Sequence, residues 1–150
     1  MAGNANPIYS RQGAVGLANT ASNNSIGFLV TGLAVDYNGV LANNVPVFTS
    51  DATNGSFVQR IRFKAQGSTG TAAVARIYIN NGGSQSANVN NSLYGEVSLP
   101  TVTSSTTAAT VDVDYPMNFA LPPGYRILVG VSSSAVLTAG WVPTVIAGHY

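Results

Sequence analysis

Charge is what this sequence has least of. Asp, Glu, Lys and Arg make up 7% of its 150 residues, where soluble domains carry roughly 25%. Six basic and five acidic residues leave a net charge of +1, so no bulk field draws the chain to nucleic acid or to a membrane. Neither is expected as a partner. Scarce charge also works against solubility, which suits a chain that spends its working life packed against other subunits. Cysteine is absent. That excludes disulfides, thiolate metal ligands and a cysteine nucleophile, and it leaves the compartment open. No apolar run approaches the roughly 18 residues of a membrane helix. The N-terminal "MAGNANPIYSRQGAVGLA" has neither the basic region nor the apolar region of a secretory signal. The expectation is synthesis in the cytoplasm without export by a signal peptide. Helix formers are scarce too: Glu and Lys occur once each, and no segment shows apolar residues at helical spacing.

What is present is strand and turn. Hydrophobic residues reach 45% and recur at regular spacing, which excludes disorder. Short runs of Val, Ile, Thr, Tyr and Phe are divided by Gly, Asn, Ser and Pro. They predict strands over 25–37, 45–50, 57–65, 71–80, 93–100, 109–116, 125–132 and 140–148. About eight strands at this spacing predict an all-β fold, an antiparallel, jelly-roll-like β-sandwich. One domain is expected over 1–150, with 1–24 as an extended arm and 25–150 as the sandwich. The arm is expected to order against another subunit, anchored by Ile8, Tyr9, Val15 and Leu17. Strands 57–65 and 71–80, joined by "QGSTG", are the best hairpin candidate. The polar stretch 80–92 reads as an exposed loop.

The stretch "FVQRIRFKA" concentrates what charge there is. It puts Phe57, Ile61, Phe63 and Ala65 on one strand face and Arg60, Arg62 and Lys64 on the other. Arg76 is expected across the hairpin from them. Two readings stand. The row keeps an outer face wet, or it meets carboxylates across a subunit boundary, with Asp112 and Asp114 of a sister copy or the acids of another protein as partners. A charged row in a nearly neutral chain suits the setting of register at an interface. Arg60, Arg62, Lys64, Arg76, Asp112, Asp114, Ile8 and Tyr9 are therefore the interface candidates.

Other candidate chemistry has a plainer reading. His149 is the sole histidine, and no Gly-x-Ser-x-Gly elbow accompanies it. Asp112 and Asp114 in "VDVDY" could hold Ca²⁺ or act as an acid–base pair, but their alternation with Val111, Val113 and Tyr115 marks an outward row. Trp141 could stack on a sugar with the tyrosines, yet it shares a strand face with Val145 and Ala147, which favours a core or interface role. No catalytic, metal-binding or cofactor-binding residue is expected, and no cofactor.

The closing two thirds resemble a family of small tailed-phage structural proteins. The resemblance rests on "NGSFVQRIRFKAQGSTGTAAVARIYINNG", "EVSLP", "STTAATVDVDYPMNFALPPGY", "FALPPGYRILVGVSSS" and "GWVPTVIAGHY", over roughly residues 54–150. Two departures stand out: His149 replaces an expected Asp, and Pro143 interrupts the last strand. The proline implies an edge or a bulge there. The resemblance implies a virion component on the capsid surface, a decoration (cement) protein. Such proteins are small β-sandwiches that cluster, often as trimers, over the joints of the major capsid protein lattice. The implied partners are the major capsid protein and further copies of the chain, and no catalytic residues carry over. The rival readings are a carbohydrate- or receptor-binding module of a tail fibre or baseplate, and a small hydrolase.

Overall fold

The computed structural model describes residues 12–17, 44–69, 71–132 and 140–150. Among these, alternating apolar and polar residues build eight strands: β1 (Gln12–Leu17), β2 (Val45–Thr49), β3 (Ser56–Ala65), β4 (Ala73–Asn80), β5 (Asn91–Leu99), β6 (Asp112–Leu121), β7 (Arg126–Ser132) and β8 (Trp141–His149). They form two four-stranded sheets, ordered β1-β8-β3-β6 and β2-β7-β4-β5, with every pairing antiparallel. The pairing is nested: β1 with β8, β2 with β7, β3 with β6, and β4 with β5. The fold is an all-β sandwich.

The inward faces supply one core. Val58, Ile61 and Phe63 of β3, Ala75 and Ile77 of β4, Ile127 and Val129 of β7, and Trp141 and Val145 of β8 have no exposed surface. Burying each larger side chain contributes roughly 1.5–3 kcal/mol. Tyr78 and Leu128 are register partners on the other side of the second sheet, and they are fully buried as well. The open side between β5 and β6 is closed by aromatic rings. Tyr94 of β5 lies 5.2 Å from Phe119 and 6.2 Å, edge-on, from Tyr115 of β6. Gly95 makes this approach possible, because a Cβ there would collide with the Tyr115 hydroxyl.

Several expectations are corrected. The strands at 57–65 and 71–80 are not a hairpin: β3 and β4 belong to different sheets. Each has its own buried face to cover, so the connection arches over the core and is pinned by the Thr69–Val102 bridge. The hairpin is β4–β5, and Arg76 accordingly sits in the sheet opposite Arg60, Arg62 and Lys64. Phe57 is not core. The register of β3 shifts between Val58 and Arg60 against both neighbours. This bulge reverses the phase, so Ser56 and Val58 are buried before it, Ile61 and Phe63 after it, and Phe57 faces outward at 37% exposure.

Residues 112–121 form one strand that continues through Pro116. Among the described residues β6 pairs only with β3, and an edge strand tolerates a missing N–H. Pro143 lies in β8, which sits between β1 and β3. The expected edge position is therefore corrected: Pro143 stands opposite Phe63 of β3, and among the described residues the β1 pairing runs as far as Leu17–Thr144. The arm also changes. Gln12–Leu17 pairs with β8 of its own chain, which adds it to the first sheet. Ile8, Tyr9 and the strand expected at 25–37 lie outside the described residues.

Candidate functional site

The charged row stands on the outward face of β3, and its register explains its partners. Arg62 is opposite Asp114, Lys64 is opposite Asp112, and Arg60 is opposite Pro116 on β6. Arg62 grips Asp114 with two bonds, Nε donating to Oδ1 at 3.0 Å and Nη2 to Oδ2 at 3.2 Å. Lys64 Nζ lies 2.6 Å from Asp112 Oδ1 and donates to the Thr110 carbonyl at 2.7 Å. The hydrogen bond from Arg62 holds the Asp114 carboxyl below the ordinary carboxylate range; slight burial opposes it, and the charges of Arg62 and Arg60 add to it. The same bond raises the Arg62 guanidinium. These side chains are about two-fifths exposed, so the pairs are screened and add little stability. Their effect is on register, since a slip of one residue would separate every pair.

The expectation that Asp112 and Asp114 serve a sister copy is therefore corrected: they are spent on β3 of the same chain. Geometry explains it, since Cβ atoms directly opposite on antiparallel strands lie within about 5.5 Å. The same pairing engages both carboxylates with protein cations. Among the described residues, no three His, Asp or Glu side chains gather as metal ligands would. Arg76 is likewise answered within the chain, on the second sheet, where Nε donates to Glu96 Oε1 at 2.8 Å. Its side chain is only 9% exposed.

Arg60 is the exception. Pro116 occupies the place where a third carboxylate would stand. Arg60 Nε is buried and has no hydrogen-bond partner among the described residues. The neighbouring positions on this face are Ile146 of β8, the register partner of Arg60, and outward-facing Phe57. Arg60 thus carries its charge on this face beside apolar groups, with no carboxylate directly opposite it.

His149 has a partner that its place in the sequence does not reveal. Ser56 Oγ accepts from the Asp51 N–H at 3.0 Å and lies 2.6 Å from His149 Nδ1. Which of the two donates follows the tautomer of the His149 ring. The His149 ring also stacks on Phe48, with centroids 5.8 Å apart. Asp51 does not complete a triad. Its Oδ1 takes the Thr53 and Asn54 N–H groups at 2.9 and 2.7 Å. The bonds from Asn54 and then Thr53 lower its pKa, with the His149 charge a lesser cause. Ser56 has no exposed surface, so its hydroxyl meets no substrate here; the cluster ties the end of β8 to the start of β3. Trp141 is fully buried in the core, which removes it from any sugar platform.

Sequence reasoning missed the Ser56–His149 link, which spans 93 positions and carries no spacing signal. It also missed the asparagine hydrogen-bond network of the β4–β5 loop, for which the density of asparagine was the available signal. No family model, curated protein or solved structure matches the chain.

Proposed function

We propose that this chain is a structural virion protein, a capsid decoration protein with a jelly-roll-like sandwich, that stabilises a tailed-phage head. It binds across major capsid protein subunits and associates with further copies of itself, with a trimer as the favoured assembly. The resemblance over 54–150 falls on β3 to β8, and the nested strand pairing suits a jelly roll. The observation that carries the reading is Arg60, which has Pro116 opposite it where the other two members of the row face the carboxylates that they pair with. It specifies a carboxylate on the shell, while Phe57 and Ile146 add apolar contact. Attachment is additive, because many copies, each with a modest contact, strengthen the shell together.

The test is sedimentation of undecorated shells with parent protein or Arg60→Ser over a range of salt concentrations. Arg60→Ser is expected to keep the fold, bind less tightly and show a weaker dependence on salt, because one charge contact is gone. Binding equal to the parent at every ionic strength overturns the use of this face.

A further inference from the structure

Asparagine is followed by glycine three times in the chain, at Asn38–Gly39, Asn54–Gly55 and Asn81–Gly82. This dipeptide is prone to spontaneous deamidation, because a following residue without a side chain lets its backbone nitrogen reach the asparagine side-chain carbon. The first pair lies outside the described residues. The other two sit in the β2–β3 and β4–β5 connections, and their hydrogen bonds differ.

Asn81 is held at both ends of its amide. Its Oδ1 accepts the Gly83 N–H at 3.0 Å, and its Nδ2 donates to Asn90 Oδ1 at 3.3 Å. The nitrogen that would attack is engaged as well, since the Gly82 N–H donates to Asn80 Oδ1 at 2.9 Å. Arg126 caps the Gly82 carbonyl from β7. Bringing Gly82 N onto Asn81 Cγ would break several of these bonds together. Asn54 is different. It is exposed, and among the described residues its side-chain amide makes no hydrogen bond; only its backbone N–H is engaged, donating to Asp51 Oδ1 at 2.7 Å. The Gly55 N–H is held at 3.2 Å by the Asp51 carbonyl, which also takes the Gly124 N–H at 3.2 Å. Both bonds are longer than the usual length of about 2.9 Å, and one acceptor serves two donors.

We propose that Asn54 is a site of spontaneous deamidation in the folded chain, and that the hydrogen bonds around Asn81 protect the second site. This goes beyond the function proposed above and does not rest on it. The Gly55 nitrogen attacks Asn54 Cγ, the new N–Cγ bond closes a succinimide ring, and the Cγ–Nδ2 bond breaks. The proton lost by Gly55 leaves with the amide nitrogen as ammonia. Water then opens the ring. Attack at Cγ leaves an aspartyl residue; attack at the main-chain carbonyl leaves an isoaspartyl residue, whose backbone runs one atom longer through Cβ and Cγ. No oxidant or reductant takes part. Either product adds a carboxylate, so six basic residues face six acidic ones and the net charge of +1 is cancelled. A chain without net charge associates more readily. The isoaspartyl form also lengthens the backbone beside Gly55, where φ is 79° and a Cβ would meet the Leu121 carbonyl. Gly55 accepts the Tyr150 N–H at 3.3 Å, so the change reaches the residue that follows β8.

The experiment incubates the full folded chain at mildly alkaline pH, where the attacking nitrogen loses its proton more readily. Peptide mapping by mass spectrometry, with fragmentation to locate each change and a separate assay for isoaspartate, follows both sites with time. The peptide bearing Asn54 is expected to gain the mass of an amide-to-acid exchange and to score for isoaspartate. Asn81 is expected to lag by on the order of tenfold or more, because several hydrogen bonds must open first. In urea the two sites are expected to react at similar rates, since the same dipeptide is then free in both. Asn54→Gln is expected to leave its peptide unmodified, because the longer side chain would have to close a larger ring. Asn90→Ala removes a partner of the Asn81 amide and is expected to speed modification at Asn81. Circular dichroism checks that both variants keep the strand signal. Equal rates at the two sites in the folded chain, an unmodified Asn54 in the folded chain, a lag at Asn81 that survives urea, or no effect of Asn90→Ala at Asn81 overturns the proposal.

Discussion

The two sheets each carry an arginine–carboxylate rung, and the rungs differ in surroundings. Arg62–Asp114 joins β3 to β6 with side chains 41% and 42% exposed. Arg76–Glu96 joins β4 to β5 with the arginine side chain at 9% and the glutamate at 39%. Water can replace either partner of the first rung, so that rung sets alignment and contributes little stability. In the second, only the carboxylate is within easy reach of water. Losing it would leave a guanidinium in a place where hydration is poor. The same chemistry thus acts as a register mark on one sheet and as a structural tie on the other.

Substitutions can break this comparison, and the largest effect should come from beneath the rungs. Ile61 and Ile77, each next to its arginine in sequence and facing the core, are both fully buried. Ile61→Ala and Ile77→Ala should each lower unfolding free energy by about 2–5 kcal/mol in urea titration. Similar losses on the two sheets would confine the difference to the outer faces. Next comes Glu96→Gln, expected to cost about 1–3 kcal/mol and to do so at high salt as well as low. If salt abolished that loss, the second rung would be as solvated as the first.

Asp114→Asn should be smallest, with a urea midpoint close to the parent and any loss removed by salt. Its signature is in pH. The Asp114 carboxyl is held below its ordinary value in the folded chain, so its contribution is complete above the unfolded carboxylate value of about 3.9 and is lost as pH falls through the folded one. Asp51 is lowered as well, and its contribution fades in the same direction. Asp51→Asn and Asp114→Asn should therefore each flatten the acid limb of the stability curve. An unchanged limb in both would contradict the hydrogen bonds described.

Strand positions were legible because alternation on a half-buried face leaves a period of two in the sequence, as in Asp112, Asp114 and their neighbours Val113 and Tyr115. Which strands pair was not. "QGSTG" reads as a hairpin turn, but the choice between a hairpin and an arch over the core depends on where the other strands lie. The exposure of Phe57 was hidden for a related reason, since a bulge leaves no mark in composition. The charged row was legible as a row. That its acids stand on β6 required the sheet order, and only that order singles out Arg60 by setting Pro116 against it.

The sheet order also bears on how the chain acquires its shape. β8 lies between β1 and β3, yet it is the last of the described strands to be synthesised. Until it arrives, β1 lacks its partner and β3 has one flank open, with only β6 on the other. The pairings that complete this sheet join segments separated by most of the chain, so loop closure is slow. A ribosome-bound intermediate would display the unpaired flank of β3 to its neighbours. The nearly neutral composition offers little repulsion to keep such intermediates apart. Yield of folded protein should therefore depend on expression temperature and chain concentration more steeply than the stability of the finished sandwich would suggest.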